Sequence, residues 1–409
     1  MPSAATLAVS IRFTASPSFG VDLVLGDAAS PLGTGVLSDE ATLPVDITSL
    51  VNAVSINRGR DRILDRHDAG RSTVTFTDTT GAFDPDNGDH EILPMRQLKV
   101  TATYSGVLYT LYSGFIDEWD YTYTPGENAA FVTLVATDAF RILNLTTVTA
   151  VAGASAGDLT GKRLGEILDE ISWPASSRDF SAGLTTCQAD PGTARDTLSA
   201  CQNVTDTELG AFFAKTNGVL KFMDRNAIVK AHGSSPTVFV DTGAGIYYES
   251  IDFDIDDTIL ANDVTVQRTG GTAQNVSDAT SISSFFLRDL SRTGLLMDTD
   301  ADALQQAKAI LNERKDPELR IGAITIDAYQ DTSARVIAAL NTELFDPIKV
   351  TRTQPGGGTV TRTLSVQGIE HTITPSSWKT TFQTAEAILG GFILDSSTSG
   401  VLGTSALSY

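Results

Sequence analysis

The sequence predicts a mainly β protein of the α+β kind: two related β-barrel-like domains with a small α/β domain between them. Three observations carry this. Short runs alternating apolar with polar residues fill both ends of the chain, the middle switches to helical spacing, and the last third repeats in order a pattern present in the first. At 409 residues the chain exceeds the roughly 100 to 200 residues of one ordinary domain, and 41% hydrophobic with 19% charged residues is the composition of a folding chain.

From Thr6 to about Thr137 the segments LAVSIRFTA, VDLVLG, VNAVSIN, STVTFTDT, QLKVTATY, VLYTLYSGFIDEWDYTY and AFVTLVAT read as strands. Successive side chains of a strand face opposite ways, so each alternation puts an apolar row on a core and a polar row toward water. Turn clusters such as ASPLGTG, DTTGAFDPDNGD and TPGENA separate them, and many short strands punctuated in this way favour a sandwich or barrel. The first domain is placed at residues 1–150, with TTVTAVAGASAG as its exit.

In GDLTGKRLGEILDEISWP, Leu164, Ile167, Leu168 and Ile171 form one apolar stripe on a helix that Pro174 ends. A second helix is expected across TARDTLSACQNV, with Leu198 and Cys201 inward, and a third across DTELGAFFAKTNG, with Leu209, Phe212 and Phe213 as its stripe. With the strand GVLKFMDRN these make a small α/β domain over residues 151–245. Strand periodicity returns in ESIDFDID, NDVTVQR, LRIGAITIDA, PIKVTRT, VTRTLSVQGIEHTIT and WKTTFQTA, which places a second β-domain at 246–389. One long helix interrupts it, TDADALQQAKAILNER, with Leu304, Ala307, Ile310 and Leu311 inward and Thr299 or Asp300 near its N-cap. TSARVIAALN reads as a shorter helix, and residues 390–409 as a tail.

The repeat joins LKVTATYSGVLYTLYSGFIDEWDYTYTPGENAAFVTLVATDA to IKVTRTQPGGGTVTRTLSVQGIEHTITPSSWKTTFQTAEA. Each has Lys-Val-Thr, a turn, and a glycine followed closely by Ile and an acid (Gly114, Ile116, Asp117; Gly368, Ile369, Glu370). A Thr-Pro turn at Pro125 and Pro375 and an aromatic strand from Phe131 and Trp378 complete it. Shared order across so many features points to a duplicated β-domain.

The formal net charge is −21, which repels phosphate over most of the surface and disfavours sequence-reading of nucleic acid. The start, MPSAATLAVSIRFTA, lacks the basic and apolar runs of a leader, and no later run reaches the roughly 20 apolar residues of a membrane span. The expectation is a soluble product made in the cytoplasm, without a membrane segment. Two cysteines, Cys187 and Cys201, cannot staple a chain of this size, and Cys201 is expected to be a buried thiol.

No catalytic, cofactor or metal residues are assigned, and no enzyme is expected. FDPDNGDHE offers Asp84, Asp86, Asn87 and Asp89, but Gly88 stands fifth where a helix-loop-helix calcium loop has glycine sixth, so the stretch reads as a turn. His67, His90, His232 and His371 lack paired metal-ligand spacing, and neither G-x-S-x-G nor a phosphate loop occurs. Asp117 and Glu118 are adjacent on a strand and face opposite ways, which argues against a glycosidase pair.

Taken together, INRGRDRILDRHDAGRSTVTFTDTTGAFDP, LYSGFIDEW, VATDAFRIL, GEILDEI, GVLKFMDR, LNERKDPELRIGAITID and VQGIEHTITPSSWKTTFQTA resemble, in order and over nearly the whole chain, the tail-tip or baseplate hub proteins of tailed bacteriophages, often called minor tail proteins. The resemblance implies a structural virion protein at the tail tip. Three chains with two related barrels each would make a pseudo-sixfold ring matching a hexameric tail tube. Implied partners are the distal tail protein, the tape-measure C-terminus and other tail-tip proteins, with DNA only in transit through an acidic lumen. The alternatives are a distal tail ring protein or a receptor- or carbohydrate-binding tail protein, the latter using Trp119, Tyr121 and Tyr123 as an aromatic face.

One stretch departs from the acidic background. Arg58, Arg60, Arg62, Arg66 and Arg71 crowd into one span ahead of Asp78, Asp84, Asp86 and Asp89. In a ring-forming acidic protein, Arg58, Arg60, Arg62 and Arg66 read as the cationic side of a subunit contact, with Trp119 and Tyr121 as interface aromatics. Charge reversal at Arg58 and Arg60 is then expected to weaken ring assembly more than folding.

Overall fold

A computed structural model describes residues 5–13, 44–60, 66–86, 88–126, 128–254, 259–317, 320–329 and 333–386. The expected strand VDLVLG, Arg62 and the tail from residue 390 lie outside the described residues. The protein is mainly β, with two related barrel-like sheets and an α/β unit between them.

The first sheet comprises β1 (Thr6–Arg12), β2 (Val45–Asp46), β3 (Val51–Gly59), β4 (Asp68–Asp78), β5 (Gln97–Tyr104), β6 (Val107–Tyr123) and β7 (Ala130–Thr137). They lie in the order β2-β1-β5-β6-β7-β4-β3, all antiparallel. Alternation in sequence becomes alternation in burial: β4 buries Ser72, Val74 and Phe76 and leaves Thr73, Thr75 and Thr77 only half-buried.

The middle unit runs through α1 (Phe140–Leu145), β8 (Thr147–Val148), β9 (Asp158–Leu159), α2 (Thr160–Glu170), β10 (Arg178–Phe180), β11 (Thr186–Cys187), β12 (Arg195–Asp196), α3 (Thr197–Glu208), β13 (Ala211–Ala214), β14 (Leu220–Met223) and α4 (Arg225–His232). Leu164, Ile167 and Leu168 of α2 pack with Cys201 and Val204 of α3, Phe140, Trp173 and Phe222 in a core of their own. Asp196 caps α3 by accepting the Ser199 N–H.

The expected third helix is absent. Leu209, at φ 55°, ends α3 in the left-handed region, and AFFA continues as β13. Phe212 and Phe213 are both buried, on opposite faces: Phe212 enters the middle core and Phe213 the main core. A strand buried on both faces shows no alternation, so helix and strand look alike in sequence.

The second sheet contains β15 (Thr237–Val240), β16 (Ile246–Tyr247), β17 (Ser250–Asp254), β21 (Arg320–Asp327), β22 (Pro347–Thr353), β23 (Thr359–Thr374) and β24 (Ser377–Glu386), with α7 (Ser333–Asn341) before β22. Between β17 and β21 the chain makes an excursion through β18 (Asp263–Arg268), β19 (Gln274–Ser277), α5 (Ala279–Phe285), β20 (Asp289–Leu295) and α6 (Asp300–Arg314), which close around a third core. Thr299 caps α6 through its Oγ1. The buried stripe of α6 is Ala303, Gln306, Ala307 and Ile310, so Leu304 and Leu311 flank the core where the sequence pattern places them inside it.

The second sheet has the order β16-β15-β22-β23-β24-β21-β17, matching the first position for position. The two outermost strands differ, since β15 runs parallel to β22 whereas β1 runs antiparallel to β5. Both meanders carry a bulge at the same place, with Asp117 the extra residue of β6 and Gln367 that of β23. This register superposes Lys99 on Lys349 and Pro125 on Pro375, as the sequence repeat does, but it sets Glu118, not Gly114, on Gly368. Conformational demands at a bulge follow strand pairing, so the glycines are not equivalent.

The two sheets are continuous. β3 pairs antiparallel with β23, from Val54 opposite Ile373 to Gly59 opposite Gly368.

Candidate functional site

The basic stretch lies at this junction. Arg58 is 5% exposed; its Nη2 donates to the Ala214 carbonyl of β13 at 3.0 Å and to Glu343 Oε1 after α7 at 2.9 Å. One guanidinium thus ties together the first sheet, the middle unit and the second sheet, which its rigid fork of donors permits. Arg60, equally buried, donates from Nε to Gln367 Oε1 at 2.9 Å and lies 5.4 Å from the Phe345 ring centre. Between them Gly59 has φ 108°, and a Cβ there would sit 2.3 Å from the Gln367 carbonyl oxygen, so only glycine fits. Arg66 is more exposed and reaches α3, donating to Asp206 and to Gln202.

Histidines fill the space beneath. His67 is buried between the rings of Phe213 and Phe345, 5.3 and 5.5 Å away, and burial with Arg60 and Arg58 nearby holds its pKa well below the usual value. His371 of β23 shares a hydrogen bond of 3.0 Å with Thr380 Oγ1, and burial with Arg58 nearby lowers its pKa to about 3. Asp138 accepts the N–H groups of Gly70 and Phe140, yet burial pushes it up to about 7.

These shifts have opposite consequences with pH. A histidine with a depressed folded pKa leaves the unfolded chain binding more protons, so its stability contribution is complete above about pH 6.5 and is lost as pH falls toward 3. Asp138, raised, favours the folded state as pH falls from about 7 toward 3.8. Replacing His371 with Asn should therefore make the melting temperature fall less between pH 7 and pH 5 than in the parent, a difference of about 2 kcal/mol at pH 5. Parallel pH profiles of the two proteins would refute this.

In the single chain Arg58 and Arg60 are both buried, and the partners named above for them lie in the same chain. Trp119 is half-buried, donates from Nε1 to the Leu93 carbonyl at 3.2 Å and stacks 6.2 Å from Phe13. Tyr121 stacks 6.3 Å from Tyr123 two residues along the same face. Glu343, Gln367 and Phe345 went unmarked in sequence, and His67 and His371 were weighed there only as metal ligands, because each has a partner more than 130 residues away or sits at a bulge.

Asp117 forms an ion pair of 2.8 Å with Arg141 and accepts the Thr137 hydroxyl. In the acidic turn, Asp78 accepts the N–H groups of Thr80, Gly81 and Phe83, and Asp84 that of Asp86. Among the described residues no three His, Cys, Asp or Glu side chains converge as metal ligands, and no helix is long and apolar enough to cross a membrane.

No protein-family model matches the sequence, and no curated protein matches it. Solved structures do. A tail protein from Neisseria meningitidis MC58 aligns over 94% of this chain and 97% of its own with a TM-score of 0.58 at 12% identity. The 43 kDa tail protein of prophage MuSo2 from Shewanella oneidensis aligns over the same shares with a TM-score of 0.54 at 11% identity. At such identity the likeness is one of fold, and it spans both sheets and the unit between them: the chain has the fold of phage tail proteins.

Proposed function

We propose that the chain is a structural subunit of a tail-tip hub, three copies of which form a ring that joins the tail tube to the tip and passes DNA. The observation that carries this reading is the doubled sheet: two seven-stranded units of one order, fused edge to edge through β3 and β23, let three chains present six similar units to a sixfold tube. The tail-protein fold over nearly the whole length supports it. The domains at 1–150, 151–245 and 246–389 then act as hub, connector and hub. A net charge of −21 supports a lumen lined by carboxylates, along which phosphates slide without pairing. The distal tail protein and the tape-measure C-terminus are the expected neighbours, and the role requires no catalysis. The half-buried packing of Trp119 and Tyr121 supports an assembly role for them over an open sugar platform.

Electron microscopy of tailed particles decorated with a gold-labelled antibody fragment tests the proposal. Label at the tail tip is expected; label on the capsid, or none on particles, overturns it.

A further inference from the structure

A cavity of about 270 Å³ opens where the two sheets meet, walled by Leu7 of β1 and Ala53 of β3 on one side and by Tyr329 after β21, Ile373 of β23 and Trp378 of β24 on the other. It lies at one end of these strands. The middle unit and the excursion join at the opposite end, where Arg58, next to Gly59, reaches Ala214 and where β21 begins at Arg320. None of the described lining residues carries a charge, although the chain as a whole stands at −21. A phosphate, carboxylate or ammonium entering here would lose its water and meet no counter-charge. Trp378 adds one specific demand. It is 5% exposed, His371 meets its ring edge-on at 6.4 Å, and its carbonyl accepts the Ala328 N–H at 2.8 Å, yet its indole Nε1 has no hydrogen-bond partner within the chain. The other two tryptophans do donate, Trp119 to the Leu93 carbonyl and Trp173 to that of Ser177. A buried indole N–H ordinarily finds an acceptor, and one without it costs stability. Apolar walls with one donor among them are the make-up of a binding pocket.

We infer that this cavity receives a large, uncharged, apolar side chain of a neighbouring tail-tip protein, and that the backbone carbonyl beside that side chain accepts the Trp378 indole N–H. The inference rests on the hub reading for the source of the side chain. Size and charge select the occupant. The cavity is below the roughly 300 to 1,000 Å³ of pockets that hold cofactors or drug-sized molecules, and its neutral wall disfavours nucleotides and charged sugars. A leucine or phenylalanine side chain suits both the volume and the wall. A polypeptide also brings a carbonyl acceptor wherever it brings a side chain, which answers the one donor present. Single apolar anchors seated in such pockets carry much of the energy of protein interfaces. Because both sheets supply the wall, the occupant touches both halves of the chain beside the β3–β23 joint, so docking also stiffens that joint.

N-acetyl-phenylalaninamide, an uncharged apolar side chain with amide carbonyls, probes the chemistry. Added to the full chain, it should bind with a dissociation constant on the order of 1 mM, as its size dictates. Of the three indole N–H resonances in the nuclear magnetic resonance spectrum, that of Trp378 should move downfield as it gains an acceptor, and Trp378→Phe identifies it by its loss. N-acetyl-aspartate should move none. Ala53→Leu, which fills the cavity, should weaken the response at least tenfold, with the Trp119 and Trp173 signals unchanged as the check on folding. A parent chain whose Trp378 signal does not move, or a filled variant that responds in full, overturns the site. The source is tested in assembled tails with p-benzoylphenylalanine in place of Tyr329, which is 39% exposed beside the cavity. On irradiation it should cross-link to an apolar side chain of a different tail protein. A cross-link confined to this chain or its copies, or none, overturns the neighbour as occupant. Tail-tip labelling without the probe response leaves the hub role standing and removes only this site, whereas a probe response with label on the capsid removes the hub role and the stated source together.

Discussion

Replacing Arg58 with glutamate is expected to abolish folding of the two sheets as one unit, not merely to weaken assembly. Arg58 is buried, and its guanidinium holds the Ala214 carbonyl and Glu343 together across three parts of the fold. Removing one partner of a buried pair costs about 3 to 5 kcal/mol, and reversal adds repulsion from Glu343 and from Asp138 nearby. Against a total stability of about 5 to 15 kcal/mol, that is enough to unfold a marginal chain. Arg58→Lys should fall between parent and reversal, since a single ammonium cannot reproduce the planar fork. Urea unfolding followed by circular dichroism is the measurement. If Arg58→Glu kept the parent midpoint but lost its oligomer, the buried clamp would be the wrong account and the subunit-contact expectation would return.

Glu208→Ala should be nearly as damaging, and more local. The Glu208 carboxylate, fully buried at the end of α3, accepts the Thr160 hydroxyl at 2.7 Å, the N–H groups of Leu184 and Thr185 at 3.0 and 2.8 Å, and Arg225 Nη1 at 2.9 Å. Alanine would strip all these donors of one shared acceptor, at about 1 to 3 kcal/mol for each that stays buried and unsatisfied. A loss of about 3 to 5 kcal/mol is expected. Glu208→Gln, which keeps one acceptor oxygen, should lose less. Hydrogen exchange should report the loss in α2 and α3, with protection at the β3–β23 pairing retained. Uniform loss across the chain would contradict a local role.

Most elements were legible because their signal is local. α2 announced itself through Leu164, Ile167 and Leu168, and β4 through Val74 and Phe76 against its threonines. β13 was not, because a strand buried on both faces loses the period that identifies it. The repeat was visible in the Lys-Val-Thr and Thr-Pro anchors, yet the glycines misaligned it, since a bulge shifts register without leaving a residue signature. The arginine cluster was conspicuous, but its direction was not readable, for Arg58 finds Ala214 and Glu343 at separations of 156 and 285 residues.

By itself the sequence determined the mainly β class, the helical interlude, the duplication and the acidic surface. Each depends on composition, or on periodicities set by the backbone within a few residues. Only the tertiary structure decided that Arg58 and Arg60 of the basic stretch face inward and that β3 joins one sheet to the other at β23. Those outcomes depend on which distant strand arrives alongside, and pairing between remote segments has no local period to betray it.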